Sequence, residues 1–307
     1  MMSLATRHRQ CHRLRRGQLV EVRSQPEILA TLDSNGKTDG LPFIPEMAQY
    51  CGRQFRVFRR AEKVFLDYYY YVARVRRAVF LEGVRCDGCA HAGCQMQCLI
   101  FWNEAWLKPV GDVSQPADDP NGAGPGQIAP TTKDGCFCCQ ATELFSATTR
   151  LPWWHLGQYL RDSRARDLSL GRVIGVLLAL AYNKVRWLCG LGEIGMLRGQ
   201  QAKTTNHTLN LQPGELVRVK SADEIKATLD STGRNRGLGL PPGATEHCGR
   251  TYRVAARPEK IITEWSGQMR QISNTVILEG VTCDGMARRC CPRDCYHLWR
   301  EVWLERV

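Results

Sequence analysis

The chain lacks an apolar run long enough to cross a lipid bilayer. A membrane-spanning helix needs about 20 mainly apolar residues, whereas the run at Val173–Tyr182 has ten. The N-terminal stretch MMSLATRHRQCHRLRRG also lacks the apolar segment of a secretory signal peptide. We therefore expect a cytoplasmic protein, in whose reducing surroundings structural disulfides are rare.

Several enzyme signatures are also absent. The chain has no G-x-x-x-x-G-K-[ST] phosphate loop, no G-x-S-x-G nucleophile turn and no H-E-x-x-H metal motif. Histidine, the commonest general base, occurs only 7 times in 307 residues. The sequence therefore indicates no catalytic residue and leaves open whether the protein is an enzyme.

Acidic residues are missing from the first 16 residues, which form a basic tail with five arginines. The whole chain has a formal net charge of +12, and the tail carries the densest part of it. Clustered positive charge is the usual footprint of a nucleic-acid partner. Nucleic acid is therefore an alternative partner through this tail, although the main expectation is another protein.

Internal repetition is the firmest feature of the sequence. A shift of 197 residues aligns residues 17–110 with residues 214–307 without a gap, and 40 of the 94 aligned positions are identical. CGRQFRV pairs with CGRTYRV, and LEGVRCDG pairs with LEGVTCDG. These segments, named here the first copy and the second copy, predict two modules of the same fold.

The pattern within one copy predicts a mainly β fold with α insertions. Strands are expected at LVEV, FRVF and AVFLEGV, and a hairpin arm is expected at VFLDYYYYVARV. A short helix is expected over Pro26–Leu32, and a helical turn between Ala92 and Trp102. A small, strongly bent antiparallel sheet of this kind resembles an SH3-like barrel, so we expect two tandem SH3-like modules.

A different composition separates the two copies. Residues 111–150 are predicted to be a flexible linker that carries the cluster Cys136, Cys138 and Cys139. Residues 151–200 read as a helical segment, with one helix ending near Leu188. This helix is expected to be buried between the modules. The alternative is that residues 153–188 lie on a membrane surface, since tryptophans and basic residues flank the apolar run.

Cysteine is abundant, with 15 residues, and four positions recur in both copies. The recurring set is Cys51, Cys86, Cys94 and Cys98 in the first copy, and Cys248, Cys283, Cys291 and Cys295 in the second. Four thiolates are the ligand set of a closed, tetrahedral zinc site. Cys89 and His91 are excluded from a shared set because Met286 and Arg288 replace them. The sequence thus predicts one zinc site in each copy.

The function predicted from these observations is a zinc-binding scaffold or interaction protein. One alternative is an iron–sulfur or thiol-redox protein that also uses Cys136, Cys138 and Cys139, because an iron–sulfur cluster likewise takes four cysteines. Another is that the recurring cysteines are buried thiols that act as small apolar side chains.

Overall fold

Strands dominate the part of the chain that the structure describes. The structure is a computed structural model, and it describes residues 13–111, 127–152, 155, 157–159, 169–189, 197–241 and 243–307. Many small antiparallel sheets make up the molecule, with a five-stranded sheet in each copy. The expected mainly β class with helical insertions is confirmed.

The first copy forms a bent sheet with the strand order β8-β7-β4-β1-β9. Its strands are β1 (Leu19–Val22), β2 (Lys37–Thr38), β3 (Leu41–Pro42), β4 (Gln54–Arg60), β5 (Lys63–Leu66), β6 (Tyr71–Arg74), β7 (Ala78–Leu81), β8 (Trp102–Asn103) and β9 (Leu107–Pro109). Helix α1 covers Gln25–Leu29, and 3-10 turns cover Pro45–Tyr50 and Glu104–Trp106. β5 and β6 pair as the expected hairpin.

The second copy has a sheet with the equivalent strand order β20-β19-β16-β13-β21. Its strands are β13 (Leu216–Val219), β14 (Arg234–Asn235), β15 (Leu238–Gly239), β16 (Thr251–Ala256), β17 (Lys260–Ile262), β18 (Met269–Gln271), β19 (Thr275–Thr282), β20 (Tyr296–Arg300) and β21 (Leu304–Arg306). A short helix covers Ala222–Ala227, and 3-10 turns cover Ala244–His247, Met286–Arg288 and Glu301–Trp303. Leu19 pairs with Arg56, and Leu216 pairs with Arg253.

Alternate side chains of the first strand of each copy point into the core. Val20 and Val22 are fully buried, as are their counterparts Val217 and Val219, because successive side chains of a strand point to opposite faces. The recurring tryptophans Trp102, Trp106, Trp299 and Trp303 have no exposed surface. They belong to the cores of the two copies.

Two local expectations need correction. Helix α1 begins at Gln25, one residue before the expected start, and the capping box of Ser24 and Glu27 fixes its first turn. It ends at Leu29, three residues before the expected end. No helix forms between Ala92 and Trp102. Ala92 and Gln97 have left-handed backbone angles (φ 50° and 51°), which interrupt a right-handed helix.

Between the copies, residues 112–126 of the predicted linker lie outside the described residues. From residue 127 onward the chain forms β10 (Thr132–Lys133), β11 (Cys136–Phe137), α2 (Gln140–Ala147) and β12 (Thr149–Arg150). The Gln140 side chain donates to the carbonyls of Pro42 and Phe101 and accepts from the Phe101 amide. These contacts hold α2, and the CFCC segment before it, against the first copy.

Helix α3 (Leu170–Leu188) confirms a helix ending at Leu188, but its expected burial is wrong. Val173 and Val176 are buried, whereas Leu178, Val185 and Leu188 are each more than half exposed. Among the described residues, no helix is both long and apolar enough to cross a membrane. Trp153 and Trp154 lie outside those residues, as does the side chain of Trp187.

A buried glutamate ties the start of the second copy to its last strands, and it generates a prediction. Glu301 is fully buried and accepts from the amides of Leu209, Asn210 and Leu211, with Arg257 beside it at 3.1 Å. We expect Glu301→Gln to destabilise the protein by about 2 kcal/mol or more, because three amides and a cation would lose their charged acceptor.

The control is Glu305→Gln, since Glu305 makes an ion pair with Arg218 at the surface. Exposed pairs contribute about 0–1 kcal/mol. Urea unfolding followed by tryptophan fluorescence measures both variants. Equal, small losses in the two variants would contradict the role given to Glu301.

Candidate metal centre

Three of the four recurring cysteines line one cavity in each copy. In the first copy, Cys86, Cys94 and Cys98 line a cavity of about 40 Å³. In the second copy, the matching residues Cys283, Cys291 and Cys295 line a more open cleft of about 310 Å³. These three recurring cysteines of each copy therefore face one cavity, although no three of these sulfur atoms lie within 4.8 Å of one another.

The CDG turn brings the thiols of one copy together. Gly88 has φ +70°, and a Cβ there would lie 2.1 Å from the Cys94 carbonyl oxygen. Gly285 has φ +76° and the same close approach to Cys291. Only glycine combines this backbone angle with so close a backbone neighbour. The chain can therefore fold back from one cysteine to the next.

A backbone hydrogen bond closes the loop in the same way in both copies. The Cys86 amide donates to the Cys98 carbonyl at 2.8 Å, and the Cys283 amide donates to the Cys295 carbonyl at 2.8 Å. Each loop therefore holds its first and last cysteine side by side.

The fourth recurring cysteine lies elsewhere in each copy. Cys51 and Cys248 each follow a 3-10 turn and pack against the apolar core of their own copy. Neither lines the cavity of its copy. Burial raises the pKa of both thiols. Their role as metal ligands stays a prediction.

Cys139 lines the first cavity together with Cys86, Cys94 and Cys98. It comes from the CFCC segment, next to β11, and is the residue before α2. Burial raises its pKa. Sequence comparison of the copies had no means of selecting it, because it lies outside both of them. The CFCC cluster itself was the signal that pointed to this residue.

His91 and Glu46 form a buried contact beside the first cavity. His91 is 1% and Glu46 is 2% exposed. His91 Nδ1 contacts Glu46 Oε1, and His91 Nε2 lies 3.0 Å from the Cys138 carbonyl oxygen. Both ring nitrogens therefore face acceptors, as in a protonated imidazole. Burial lowers the pKa of His91, but the bond to Glu46 outweighs this effect and the pKa is raised.

Among the described residues, the ligand atoms lie closest together around Glu46. Glu46, Cys86 and His91 form one group whose donor atoms all lie within 4.8 Å of one another, and Glu46, Asp87 and Cys89 form another. Neither group contains Cys51, Cys94 or Cys98. The exclusion of His91 from a set shared by both copies remains correct, because its counterpart is Arg288. Nothing in the sequence indicated its contact with Glu46.

Three thiols of the two cavities have strongly raised pKa values. Burial raises the pKa of Cys86 to about 12, of Cys283 to about 11 and of Cys295 to about 12. A thiol with so high a pKa is a poor nucleophile at neutral pH. Since a metal takes thiolates as ligands, its binding must release these protons.

Each cysteine loop also contacts the hairpin of the other copy. The Phe65 amide donates to Cys291 Sγ at 3.3 Å. The matching amide of Ile262 donates to Cys94 Sγ at 3.4 Å. Amide donors of this kind stabilise a thiolate and orient it as a ligand. The contact between the two copies thus supports one thiol in each cavity.

The second cleft contains a histidine at a position where the first copy has none. His297 is 6% exposed and lines the cleft with the three thiols. Burial lowers its pKa to about 4, so the imidazole is neutral at pH 7. Its position corresponds to Ile100 in the first copy. Cys295 and His297 are two residues apart in the sequence. Recurrence does not select His297, because the first copy has no histidine at the matching position.

Comparison with known proteins found no match: no family model, no curated protein and no solved structure resembles the chain significantly.

The glycine of the CDG turn gives a prediction with a matched control. Gly83 has the same φ of +70° as Gly88, but a Cβ added there meets nothing within 4 Å. Both Gly88→Ala and Gly83→Ala should lose about 1–2 kcal/mol to the left-handed backbone. Gly88→Ala should lose about 1–3 kcal/mol more, because its Cβ overlaps the backbone of Cys94.

The midpoint of urea unfolding is the measurement for this pair of variants. Equal losses for the two alanine variants would show that the turn does not need the close approach of residues 88 and 94.

Proposed function

We propose that the protein is a zinc-binding scaffold in which each copy is an SH3-like module that holds one zinc ion through thiolates. The observation that carries this proposal is that the three recurring cysteines of each copy line one cavity. The equivalent strand orders of the two five-stranded sheets support the pair of related modules.

The ligands proposed for the first site are Cys86, Cys94, Cys98 and Cys139. Four thiolates around Zn²⁺ are the usual set of a closed structural site. A cavity of about 40 Å³ suits one ion, since the share of a water molecule in the liquid is about 30 Å³. Binding would draw the four sulfur atoms inward to zinc–sulfur distances of about 2.3 Å.

The size of the first cavity, about 40 Å³, argues against an iron–sulfur cluster at that site. A cluster of several iron and sulfide atoms needs far more room than a single ion. Zinc, which binds as one ion and has no redox chemistry, fits a cavity of this size.

In this proposal the zinc stabilises the fold. A module of about ninety residues has a small core, and a metal can replace part of it. In the first copy the ion would also fasten the CFCC segment and α2 to the sheet. The resulting rigid pair of modules would then act by binding another protein.

Metal analysis of the purified protein gives the direct test. We expect about two zinc ions per chain in the wild type, and about one in Cys139→Ser, because the first site would lose a ligand. Cys51→Ser is the matched control and should keep two, since Cys51 lies away from the cavity. Mass spectrometry with inductively coupled plasma measures the stoichiometry.

Three results would contradict this account. One is a protein without zinc whose cysteines are all alkylated in the folded state. A brown protein with visible absorbance would favour an iron–sulfur cluster instead. Loss of zinc from Cys51→Ser but not from Cys139→Ser would restore the ligand set predicted from the sequence.

A second candidate function is attachment to an anionic membrane surface through α3. Along this helix Ile174, Leu178, Tyr182, Val185 and Leu188 are each half or more exposed. The helix contains no acidic residue, and it carries three basic ones. Apolar residues with flanking cations are the composition that binds a lipid interface.

Flotation with anionic liposomes tests this candidate. The double variant Leu178→Glu and Val185→Glu should lose most of the bound fraction, because the apolar face would carry two negative charges. Leu216→Glu changes an equally apolar, 44% exposed residue outside the helix, and it should bind like the wild type. Equal flotation of all three proteins would end the membrane hypothesis.

A further inference from the structure

His297 is buried, and no group of the described residues forms a hydrogen bond to it. Neither Nδ1 nor Nε2 has a partner, although the side chain is 6% exposed. Burying an unsatisfied polar group is costly, and such groups are rare in folded proteins. The two ring nitrogens therefore call for a ligand that the protein chain itself does not provide.

The surroundings of the ring identify the class of that ligand. Cys283, Cys291 and Cys295 line the same cleft as His297. The nearest rings are His247 and Trp299, at centroid distances of 6.2 Å and 6.4 Å, and they touch His297 through ring contacts alone. Three thiols and one imidazole are a complete ligand set for a tetrahedral zinc ion.

Chain order places the imidazole close to one of the thiols. Cys295 directly precedes β20, and His297 is the second residue of that strand. Both neighbours of His297 pair with β19, Tyr296 with Thr282 and Leu298 with Ile277, and the register shifts between these two pairs. These pairs fix the backbone on both sides of His297.

We infer that His297 is the fourth ligand of a zinc ion bound by Cys283, Cys291 and Cys295. This inference rests on the proposed zinc-binding function and adds a ligand set that differs from that of the first site. The three thiols lose their protons to solvent when the ion binds, and the neutral imidazole donates one nitrogen lone pair. The resulting site carries a net charge of −1, against −2 for four thiolates.

The two copies would then complete their zinc sites with different fourth ligands. Each retains three cysteines from the shared pattern, and each takes its fourth ligand from a position that the other copy lacks. In the first copy, Ile100 occupies the position that corresponds to His297. Cys139 is the proposed fourth ligand there. In the second copy Cys248 packs against the core, and His297 takes that role.

Cadmium-113 NMR of the cadmium-loaded full chain distinguishes the two ligand sets. The wild type should bind two cadmium ions and give two resonances, one for a site of four sulfurs and one for three sulfurs with a nitrogen. His297→Ala should lose one ion and the second resonance. His297→Cys should regain the ion, with its resonance moved towards the position of the four-sulfur site.

His247→Ala is the matched control, because His247 is a neighbouring imidazole that is bonded to the Tyr252 hydroxyl. It should keep both ions, and circular dichroism checks that every variant is folded. Two unchanged resonances in His297→Ala would overturn the inference while leaving the zinc-binding function intact. A wild type that binds neither cadmium nor zinc would overturn both.

Discussion

The rest of this structure depends on the exchange of amide–sulfur contacts between the two copies. The Phe65 amide reaches Cys291 Sγ, and the Ile262 amide reaches Cys94 Sγ. Because these residues occupy equivalent positions, the contact is isologous, as in a symmetric dimer. The strands β5 and β17 of the hairpins each donate an amide to a thiol in the cysteine loop of the opposite copy.

Ion pairs between the copies reinforce this contact. Arg288 pairs with Asp67, and Arg85 pairs with Asp294 while its guanidinium lies 4.2 Å from the ring centroid of Tyr296. A metal in either cavity would therefore be supported by amides from the other copy. Under the proposed function, this arrangement gives a reason for two copies in one chain: each metal site receives an amide donor from the hairpin of the other copy.

The sequence predicted the strands well, because alternation and turn residues act locally. It also selected Cys86, Cys94 and Cys98, because recurrence identifies residues that both copies need. The same criterion could not identify Cys139 or His297, which break the repeat. It favoured Cys51, whose recurrence the core packing explains equally well. Contacts between distant segments, such as Phe65 with Cys291, leave no periodic pattern in a sequence.

X-ray absorption at the zinc edge tests the central claim most directly, because it counts the atoms bound to the metal. The account predicts sulfur at about 2.3 Å, with a mean of about three and a half sulfurs per zinc from one site of four and one of three. A shell made only of oxygen and nitrogen, or a folded protein that holds no zinc, would contradict it.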